Sequence, residues 1–354
     1  MCLLTGSLSA KEKREAHAKI ANGEAHLVIG THALIQEKVV FDNLQLVITD
    51  EQHRFGVRQR GTLAEKGKSP HVLVMTATPI PRTLALILYG DMDVSVIDEM
   101  PPGRLKIDTY TVDAAYRSRL FAFITKAVAE GRQAYIICPM IAEREEAEVT
   151  GKAQMQAVQT YVAMAQAAMP GARVAALHGK MKPEEKRDIM QKFAAREIDV
   201  IVATTVIEVG VNVPNAVVMV VENAERFGLS QLHQLRGRVG RGAFQSTCVL
   251  VTDSKNDVCK QRMKAMRDTN DGFALSEMDL TLRGPGEFFG TKQHGLPEMK
   301  IANLYRDIFI LKAVQQAVED LFADDASFEK EENAALAKAV KNIFDHHGHK
   351  RTVL

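Results

Sequence analysis

The chain has 354 residues, of which 46% are hydrophobic, and its formal net charge is +1. This length allows two or three domains with their own cores, and the balanced charge neither indicates nor excludes a nucleic-acid partner. No apolar run reaches the roughly 20 residues that span a bilayer, and the cysteines lack disulfide or metal-ligand spacing. We therefore expect a cytoplasmic protein with buried thiols and no membrane partner.

The first hundred residues alternate helix and strand signals. Ser9, with Glu12 three positions later, forms a capping box that predicts a helix ending near Gly23. Apolar runs then predict buried strands at residues 26–29, 44–48 and 71–75. Such alternation is typical of parallel α/β units. The Pro-Pro-Gly turn after Asp98 interrupts it, so we predict a first domain over residues 1–98.

Two adjacent carboxylates, Asp50 and Glu51, follow the second of these strands. Open α/β sheets bind their ligands at the carboxyl ends of the strands. There Asp50 would hold Mg²⁺, a hard cation that prefers oxygen ligands. Glu51 would polarise the water that attacks the γ-phosphate of ATP. A surface turn is the alternative interpretation of these two acids.

The stretch Thr76–Thr83 follows the next strand and places hydroxyl groups at the same predicted sheet edge as Asp50. A plain strand-to-helix connection explains the stretch in isolation, because its two prolines make the turn rigid. Beside a carboxylate pair, it would instead relay between the nucleotide and a second ligand. Both interpretations stay open on the sequence alone.

A second set of strand signals predicts another α/β lobe over residues 99–253. Its apolar runs are 106–112, 134–138, 173–177, 200–203, 217–221 and 248–252. After Ser254 the strand signal fades, and the chain becomes loop-rich around residues 283–297 and then helical from about residue 303. The predicted fold class is therefore α/β, with two parallel-sheet lobes and a loop-rich, helical carboxyl-terminal region over residues 254–354.

An arginine-rich segment follows the fifth of these runs. Gln234, Arg238 and Arg241 have the i, i+4, i+7 spacing that lines one helix face, provided that the intervening glycines do not break the helix. No acid occurs between Glu225 and Asp253, so a solvated helix face would leave the arginines unpaired. Guanidinium groups grip phosphate oxygens bidentately. The segment therefore indicates arginine fingers that act on the transferring phosphoryl group of ATP.

The stretch Thr204–Pro214 also follows a buried strand. The hydroxyls of Thr204 and Thr205 and the backbone at Gly210 would serve a phosphodiester chain as well as the nucleotide. The usual cradle for nucleotide phosphates, a Gly-x-x-x-x-Gly-Lys-Ser/Thr loop, does not occur in the 354 residues.

Taken in order, these segments resemble motifs II to VI of the superfamily 2 DNA helicases, and in detail those of the RecG family, over essentially the whole chain. The segments are Asp50–Val57, Thr76–Thr83, Tyr135–Pro139, Thr204–Pro214 and Gln231–Gly242. The resemblance implies two RecA-like lobes, the first incomplete, with ATP and Mg²⁺ as cofactors. It implies an ATP-dependent helicase that moves along double-stranded DNA and acts on replication forks and Holliday junctions in repair and recombination.

The resemblance also implies roles for individual residues. It adds His53 to the nucleotide-binding residues Asp50, Glu51, Gly210, Gln234, Arg238 and Arg241. It implies that the DNA-contacting residues are Thr5, Gly6, Thr31, His32, Thr78, His178, Thr204 and Thr205. The segment Gly284–Pro297 resembles the family's translocation motif, here represented by Arg283, Gly284 and Gln293. A dinucleotide-binding fingerprint is the alternative for this segment, but Pro285 and the lack of a preceding strand argue against it.

The resemblance begins at what looks like motif Ib, so the family's phosphate-binding loop and wedge domain do not occur within these residues. We therefore expect a carboxyl-terminal motor fragment that is monomeric and has negligible ATPase activity by itself. Two other interpretations remain. One is a non-catalytic nucleic-acid-binding module. The other is a translocase like the transcription-repair coupling factor, although Gln52 stands where that family usually has a glutamate.

Overall fold

The computed structural model describes residues 1–50, 63–76, 93–101, 103–138, 151–204, 212–283 and 308–347. These residues divide into two compact units. The first contains the described residues up to 94 and those from 308 onward, and the second contains residues 95–283. The assignment of functional domains to residues 1–98, 99–253 and 254–354 stays a prediction.

The first unit contains two pairs of parallel strands. Strand β1 (Cys2–Leu4) pairs with β2 (Val28–Gly30), and β3 (Leu46–Thr49) pairs with β4 (His71–Val74). Helix α1 (Ala10–Ala21) follows β1, and a 3₁₀ turn (His32–Ile35) follows β2. Apolar side chains of β1, α1, β2 and the 3₁₀ turn form one small core, which includes Leu4, Ile20 and Ala33. Strands β3 and β4 do not contribute to it.

The predicted capping box is confirmed at the start of α1. The amide of Glu12 donates to Ser9 Oγ at 3.3 Å, and the Glu12 carboxylate accepts from the Ser9 amide at 2.8 Å. Two amides that have no partner within the helix are thereby satisfied. The three predicted strands of this region are also confirmed, with ends that differ by one or two residues. Strand β1 was not predicted, because three residues are too few to show a strand pattern.

The second unit is built on a six-stranded parallel sheet. Its strands are β5 (Asp108–Val112), β6 (Gln133–Ile137), β7 (Val174–Leu177), β8 (Val200–Ala203), β9 (Ala216–Val221) and β10 (Thr247–Val251). Their spatial order is β5-β10-β9-β6-β8-β7. Every residue of β6, β8 and β9 is buried, which explains why these strands read as continuous apolar runs. All six predicted strands of this lobe are confirmed.

Helices cover both faces of this sheet. The helices are α2 (Arg117–Ala129), α3 (Gly151–Ala168), α4 (Pro183–Ala194), α5 (Leu229–Arg236), α6 (Asp257–Asp268) and α7 (Gly272–Arg283). Alternate residues of β6 divide between two apolar clusters, so the clusters lie on opposite faces. Helices α2 and α3 contribute to one cluster, and α4, α5, α6 and α7 contribute to the other. The α/β fold class is confirmed.

The carboxyl-terminal region is helical, as predicted. It contains α8 (Ile308–Asp325), a 3₁₀ turn (Glu331–Asn333) and α9 (Ala334–His347). The Asp325 carboxylate fixes the turn between the helices, since it accepts from the amides of Glu329 at 2.8 Å and Lys330 at 3.0 Å and from Asn333 Nδ2 at 2.8 Å. These hydrogen bonds, that from Asn333 first, lower the pKa of Asp325.

Two predictions drawn from composition can be compared with the structure. Cys2, Cys138, Cys248 and Cys259 are all buried and free of disulfides, as expected. In the described part of the chain, no helix combines the length and the apolar character that crossing a bilayer requires.

Candidate functional site

Four of the predicted DNA-contacting residues lie together in the first unit, where β1 and β2 end side by side. Leu4 pairs with Gly30 in the parallel register, so Thr5 and Gly6 leave the sheet next to Thr31 and His32. The Thr31 amide donates to the Leu4 carbonyl at 3.4 Å. The close approach requires glycine, because a Cβ at position 30 would lie 2.3 Å from the Leu4 carbonyl oxygen.

A cation that the sequence did not single out stands at the same edge. Lys13 Nζ donates to the Gly6 carbonyl oxygen at 2.7 Å, and Thr5 Oγ1 lies 3.0 Å from Ser7 Oγ. The capping box at Ser9 fixes the start of α1, which carries Lys13 one turn further on. The turn between β1 and α1 therefore combines hydroxyl groups, exposed backbone and an ammonium group, all of which bind phosphate.

Asp50 directly follows β3 and is exposed. Thr49 pairs with Val74, so Asp50 and Thr76 leave the sheet at the same edge. The Met75 amide donates to the Thr49 carbonyl at 2.8 Å and continues the pairing to that edge. The predicted proximity of the motif III stretch to Asp50 thus holds at Thr76. Glu51, His53 and Thr78 lie outside the described residues.

In the second unit, His178 and Thr204 follow the neighbouring strands β7 and β8. The Thr204 amide donates to the Leu177 carbonyl at 3.2 Å, so the two residues lie side by side at the carboxyl edge of the sheet. Burial, and then the nearby charge of Lys186, lower the pKa of His178, while Glu185 opposes the shift. The imidazole is therefore neutral near pH 7. Thr205 and Gly210 lie outside the described residues.

A partly buried ion pair that sequence reasoning missed lies at the carboxyl ends of β6 and β9. Arg117 grips Glu222 through Nε at 3.2 Å and Nη2 at 2.8 Å, and the Tyr161 hydroxyl donates to Glu222 at 3.4 Å. Burial and the charge of Glu222 raise the pKa of the Cys138 thiol and of the Tyr161 hydroxyl. The signal was present in the sequence, since Glu222 ends an apolar run just as Asp50 does.

The arginine-rich segment is not a single helix. Helix α5 ends at Arg236, Gly237 is its C-cap, and Gly240 adopts a left-handed conformation with φ of +72°. Only Gln234 therefore belongs to the helix, and Arg238 and Arg241 belong to the turn that follows. The shared helix face was predicted on the condition that the glycines leave the helix intact; this condition is not met, because the helix ends before Gly237. Their roles in nucleotide binding stay predictions.

The charges of Arg238 and Arg241 nevertheless both act on the Tyr135 hydroxyl. Burial raises the pKa of Tyr135 on β6 to about 12, and both guanidinium groups act on this hydroxyl in the opposite direction. Arg241 Nε donates to the Gly237 carbonyl at 3.0 Å, and its side chain is exposed. Burial and the charge of Arg241 lower the pKa of Arg104, which adds a third guanidinium to the group. An anion would be attracted to such a concentration of positive charge.

Arg236, the remaining arginine of the segment, has a structural role. Its side chain is 1% exposed. Nη1 donates to the carbonyls of Met266 at 2.6 Å and Thr269 at 2.9 Å, and Nη2 contacts His233 Nδ1 at 3.1 Å. These carbonyls stand at the carboxyl end of α6, where a cation is favourable. Arg236 therefore fixes α6 to α5.

The translocation residues lie mostly outside the described part of the chain. Arg283 is the last residue of α7, and its side chain is not described. Gly284 and Gln293 lie outside the described residues.

Three family models match the chain. A DEAD/DEAH box helicase model matches residues 1–87, a helicase conserved C-terminal domain model matches residues 118–243, and a model of ATP-dependent DNA helicase RecG, domain 3, C-terminal, matches residues 269–348. All three are models of helicase domains, so the similarity of the chain to the helicase class extends over most of its length.

Within that class, the resemblance to the RecG family is confirmed. The chain is 51% identical over 336 residues to ATP-dependent DNA helicase RecG of Bacillus subtilis, covering 95% of this chain and 48% of that protein. The Synechocystis RecG is 52% identical over 327 residues, covering 92% of this chain and 39% of that protein. A solved structure of RecG bound to a three-way DNA junction matches with a TM-score of 0.66 and 44% identity, covering 88% of this chain and 39% of that one. The chain thus spans half or less of these relatives.

Proposed function

We propose that this chain supplies the motor of an ATP-dependent helicase that moves along double-stranded DNA. Its proposed substrates are branched DNAs such as replication forks and Holliday junctions, in repair and recombination. The observation that carries the proposal is the identity of about one half with RecG helicases over more than nine tenths of the chain. Branched DNA is chosen because the matching solved RecG is bound to a three-way junction. A cytoplasmic location and a monomeric state remain parts of the proposal.

In this function, Asp50 is the proposed ligand for Mg²⁺. The described residues contain no group of three or more metal-ligating side chains. Mg²⁺ bound with ATP needs only one or two carboxylates, because water and phosphate oxygens complete its coordination. A single exposed carboxylate at a strand end fits that requirement. The bound Mg²⁺ and ATP would supply a polarised γ-phosphoryl group for hydrolysis.

The remaining nucleotide residues act on that phosphoryl group or hold the nucleotide. Glu51 would polarise the attacking water, and Arg238 and Arg241 would stabilise the charge that develops on the phosphoryl oxygens. The residues proposed to hold the nucleotide are His53, Gly210 and Gln234. The exposed side chain of Arg241 supports its role. The charges of Arg238 and Arg241 both act on the Tyr135 hydroxyl, which supports a shared role for the two arginines.

The proposed DNA contacts are made to phosphates rather than to bases. In the first unit, hydroxyl and backbone groups at Thr5, Gly6, Thr31 and His32 stand at one sheet edge, and in the second unit His178 and Thr204 stand at another. Thr78 and Thr205 complete the proposed set, and Arg283, Gly284 and Gln293 are proposed to link motor closure to movement. Contacts of this kind are tolerant of sequence and sensitive to salt.

A second candidate function applies to the 354 residues by themselves. They contain no Gly-x-x-x-x-Gly-Lys-Ser/Thr loop, so the β-phosphate would lose most of its usual contacts. On its own the chain would then be a nucleic-acid-binding module without ATPase activity. The two proposals are compatible, since one concerns the assembled motor and the other the isolated residues.

The proposed role of Arg241 is tested in a chimaera in which this chain replaces the matching region of the Bacillus subtilis RecG. Substitution of Arg241 by Ala should lower the DNA-stimulated kcat for ATP hydrolysis by about 10³-fold or more, because an arginine finger contributes roughly 10³ to 10⁵ to the rate. Phosphate release is measured with and without forked DNA.

Arg187 provides the matched control. It is an exposed arginine on α4 and has no proposed role, so Arg187→Ala should leave turnover unchanged. Circular dichroism of both variants checks that the fold is intact. Unimpaired hydrolysis in the Arg241→Ala chimaera would refute the assigned role.

A further inference from the structure

An open groove of about 480 Å³ lies between helix α6 and the carboxyl ends of β5 and β10. Its lining includes three cations, Lys260, Lys264 and Arg267, and three hydroxyl groups, those of Thr111, Thr252 and Ser254. We call this feature the α6 groove. Strands β5 and β10 stand on the opposite side of the sheet from β7 and β8, so the α6 groove is separate from His178 and Thr204. It contains none of the residues assigned above.

The three cations belong to one face of α6. Their spacing is i, i+4 and i+7, which places them on the same side of a helix. The adjoining side of the helix buries Cys259, Met263 and Met266 in the core, and Cys259 and Met263 also line the groove. Because α6 is anchored along its whole length, the cations are presented on a rigid support.

Both ends of α6 are fixed as well. The Asn256 side chain caps the amino end by accepting from the Val258 amide at 2.9 Å. At the carboxyl end, Arg236 binds the carbonyls of Met266 and Thr269. A preorganised support lowers the entropic cost of binding a ligand.

Nearby acids do not neutralise the α6 groove. Lys260 pairs with Asp257 and Arg267 pairs with Asp268, each at 3.0 Å, but all four side chains are about half or more exposed. Such exposed pairs contribute little and exchange readily for a stronger ligand. Among the described residues, no carboxylate lies within salt-bridge distance of Lys264. Among the described residues of the lining, Asp113 is the only acid, and it caps a 3₁₀ turn by accepting from the Ala115 amide at 3.0 Å.

The spacing of the cations discriminates between anionic ligands. Seven residues separate the first cation from the last, which is about 10 Å along a helix at 1.5 Å per residue. Successive phosphates of one DNA strand advance about 3.4 Å along the duplex axis, so three steps cover the same length. The phosphates of a mononucleotide are too close together to meet all three cations. A phosphodiester chain meets them in turn.

We propose that the α6 groove binds the phosphodiester backbone of duplex DNA. Ammonium and guanidinium groups pair with successive phosphates, and the hydroxyl groups at the strand ends donate to phosphate oxygens. This inference depends on the proposed function only for the choice of DNA as partner. It does not depend on ATP hydrolysis or on the arginines of the turn after α5.

The test uses the full 354-residue chain, fluorescently labelled duplex DNA and no nucleotide. Binding is measured by fluorescence anisotropy at a series of salt concentrations for the wild type and for a triple variant, Lys260→Ala, Lys264→Ala and Arg267→Ala. The slope of log affinity against log salt is negative, and each lost phosphate contact reduces its magnitude by about 0.9. We expect the magnitude to fall by about 2.7 in the triple variant, which should also bind more weakly at low salt.

The matched control removes the same charge elsewhere. Lys126, Lys192 and Lys338 are exposed and lie on three other helices, so replacing all three by Ala should change the slope much less. Circular dichroism and urea unfolding check that both variants keep the wild-type fold. Asp113→Asn is a second, conservative variant, because its amide oxygen can still cap the 3₁₀ turn. It should tighten DNA binding by removing a negative charge from the groove.

Three results would overturn the inference. The first is an equal salt slope for the triple variant and its control. The second is displacement of the DNA by poly-glutamate as effectively as by unlabelled duplex, and the third is displacement by ATP at a few molar equivalents of the protein. The second result would assign the groove to an acidic peptide, and the third to a free nucleotide. Failure of the proposed motor function would be seen in a different experiment, the ATP hydrolysis of the Arg241→Ala chimaera. That result does not affect the salt dependence of DNA binding by the α6 groove.

Discussion

His233 and Arg236 show how one side chain fixes the protonation state of another. Arg236 Nη2 lies 3.1 Å from His233 Nδ1, and a guanidinium can only donate, so this ring nitrogen must be unprotonated. Burial first, and then the charge of Arg236, lower the pKa of His233 to about 4, with Arg104 adding to the shift and Asp271 partly opposing it. The folded state therefore favours a neutral imidazole at this position.

A pH dependence of stability follows. The pKa of His233 falls from 6.5 in the unfolded chain to about 4 in the folded one, so the unfolded chain binds more protons in between. Above pH 6.5 the imidazole is neutral in both states, so His233 does not reduce the free energy of unfolding. As the pH falls toward 4, protonation of the unfolded chain lowers this free energy, by about 3 kcal/mol in total. Urea unfolding of the second unit between pH 7 and pH 4 measures this slope. His233→Gln should reduce it, and the exposed His26→Gln should not; equal slopes in all three proteins would contradict the assignment.

Asp50 and Glu222 show how far single residues can be interpreted from sequence. Each follows an apolar strand, and the sequence supports the same expectation for both, namely an acid at the carboxyl edge of a sheet. The structure leaves Asp50 exposed and buries Glu222 to 2% exposure against Arg117. The difference could not be predicted, because Arg117 lies 105 residues from Glu222 in the chain. Local patterns locate an acid, whereas a distant partner decides whether it is structural.

Secondary-structure elements were predictable wherever burial makes a long pattern. The strands of the second unit read clearly because the sheet is covered on both faces, and α1 was located by its capping box. Strand β1 and the end of α5 could not be predicted in this way. Three residues carry no periodicity, and the i, i+4, i+7 spacing of Gln234, Arg238 and Arg241 arises across a turn in which Gly240 adopts positive φ. Spacing alone cannot distinguish a helix face from a helix followed by a turn.

The pairing of β1 with β2 provides a test that concerns these elements. In Gly30→Ala the new Cβ would lie 2.3 Å from the Leu4 carbonyl oxygen and 2.7 Å from the Leu34 side chain, so the strands must separate. Overpacking costs about 1 to 3 kcal/mol, which lowers hydrogen-exchange protection by roughly 5-fold to 150-fold. Deuterium uptake in peptides covering residues 1–5 and 27–32 should rise accordingly.

Gly6→Ala is the control for this change, because nothing lies within 4 Å of a Cβ at position 6. Its uptake should match that of the wild type. Unchanged protection in Gly30→Ala would show that β1 and β2 are not held together in the register described here.

Charge in this protein is segregated although its sum is small. The net charge of +1 says nothing about partners, yet the turn after α5 gathers Arg104, Arg238 and Arg241, and the α6 groove gathers three further cations. The first concentration was visible in the sequence as a stretch without acids. The second was not, because the cations of α6 lie three or four positions apart in the sequence and an acid stands at each end of the helix. Only the helix brings Lys260, Lys264 and Arg267 onto one face. Folding, rather than composition, creates the basic groove.

The isolated chain should bind DNA without hydrolysing ATP. Its 354 residues lack the lysine-bearing phosphate loop, and the arginines alone cannot position the γ-phosphoryl group for transfer to water. Phosphate release with forked DNA should therefore stay at background, while anisotropy under the same conditions should detect salt-sensitive binding. The Bacillus subtilis RecG, assayed in parallel, shows that the assay responds to a complete motor. Robust turnover by the 354-residue chain, removed by Asp50→Asn, would mean that other residues in it replace the missing loop.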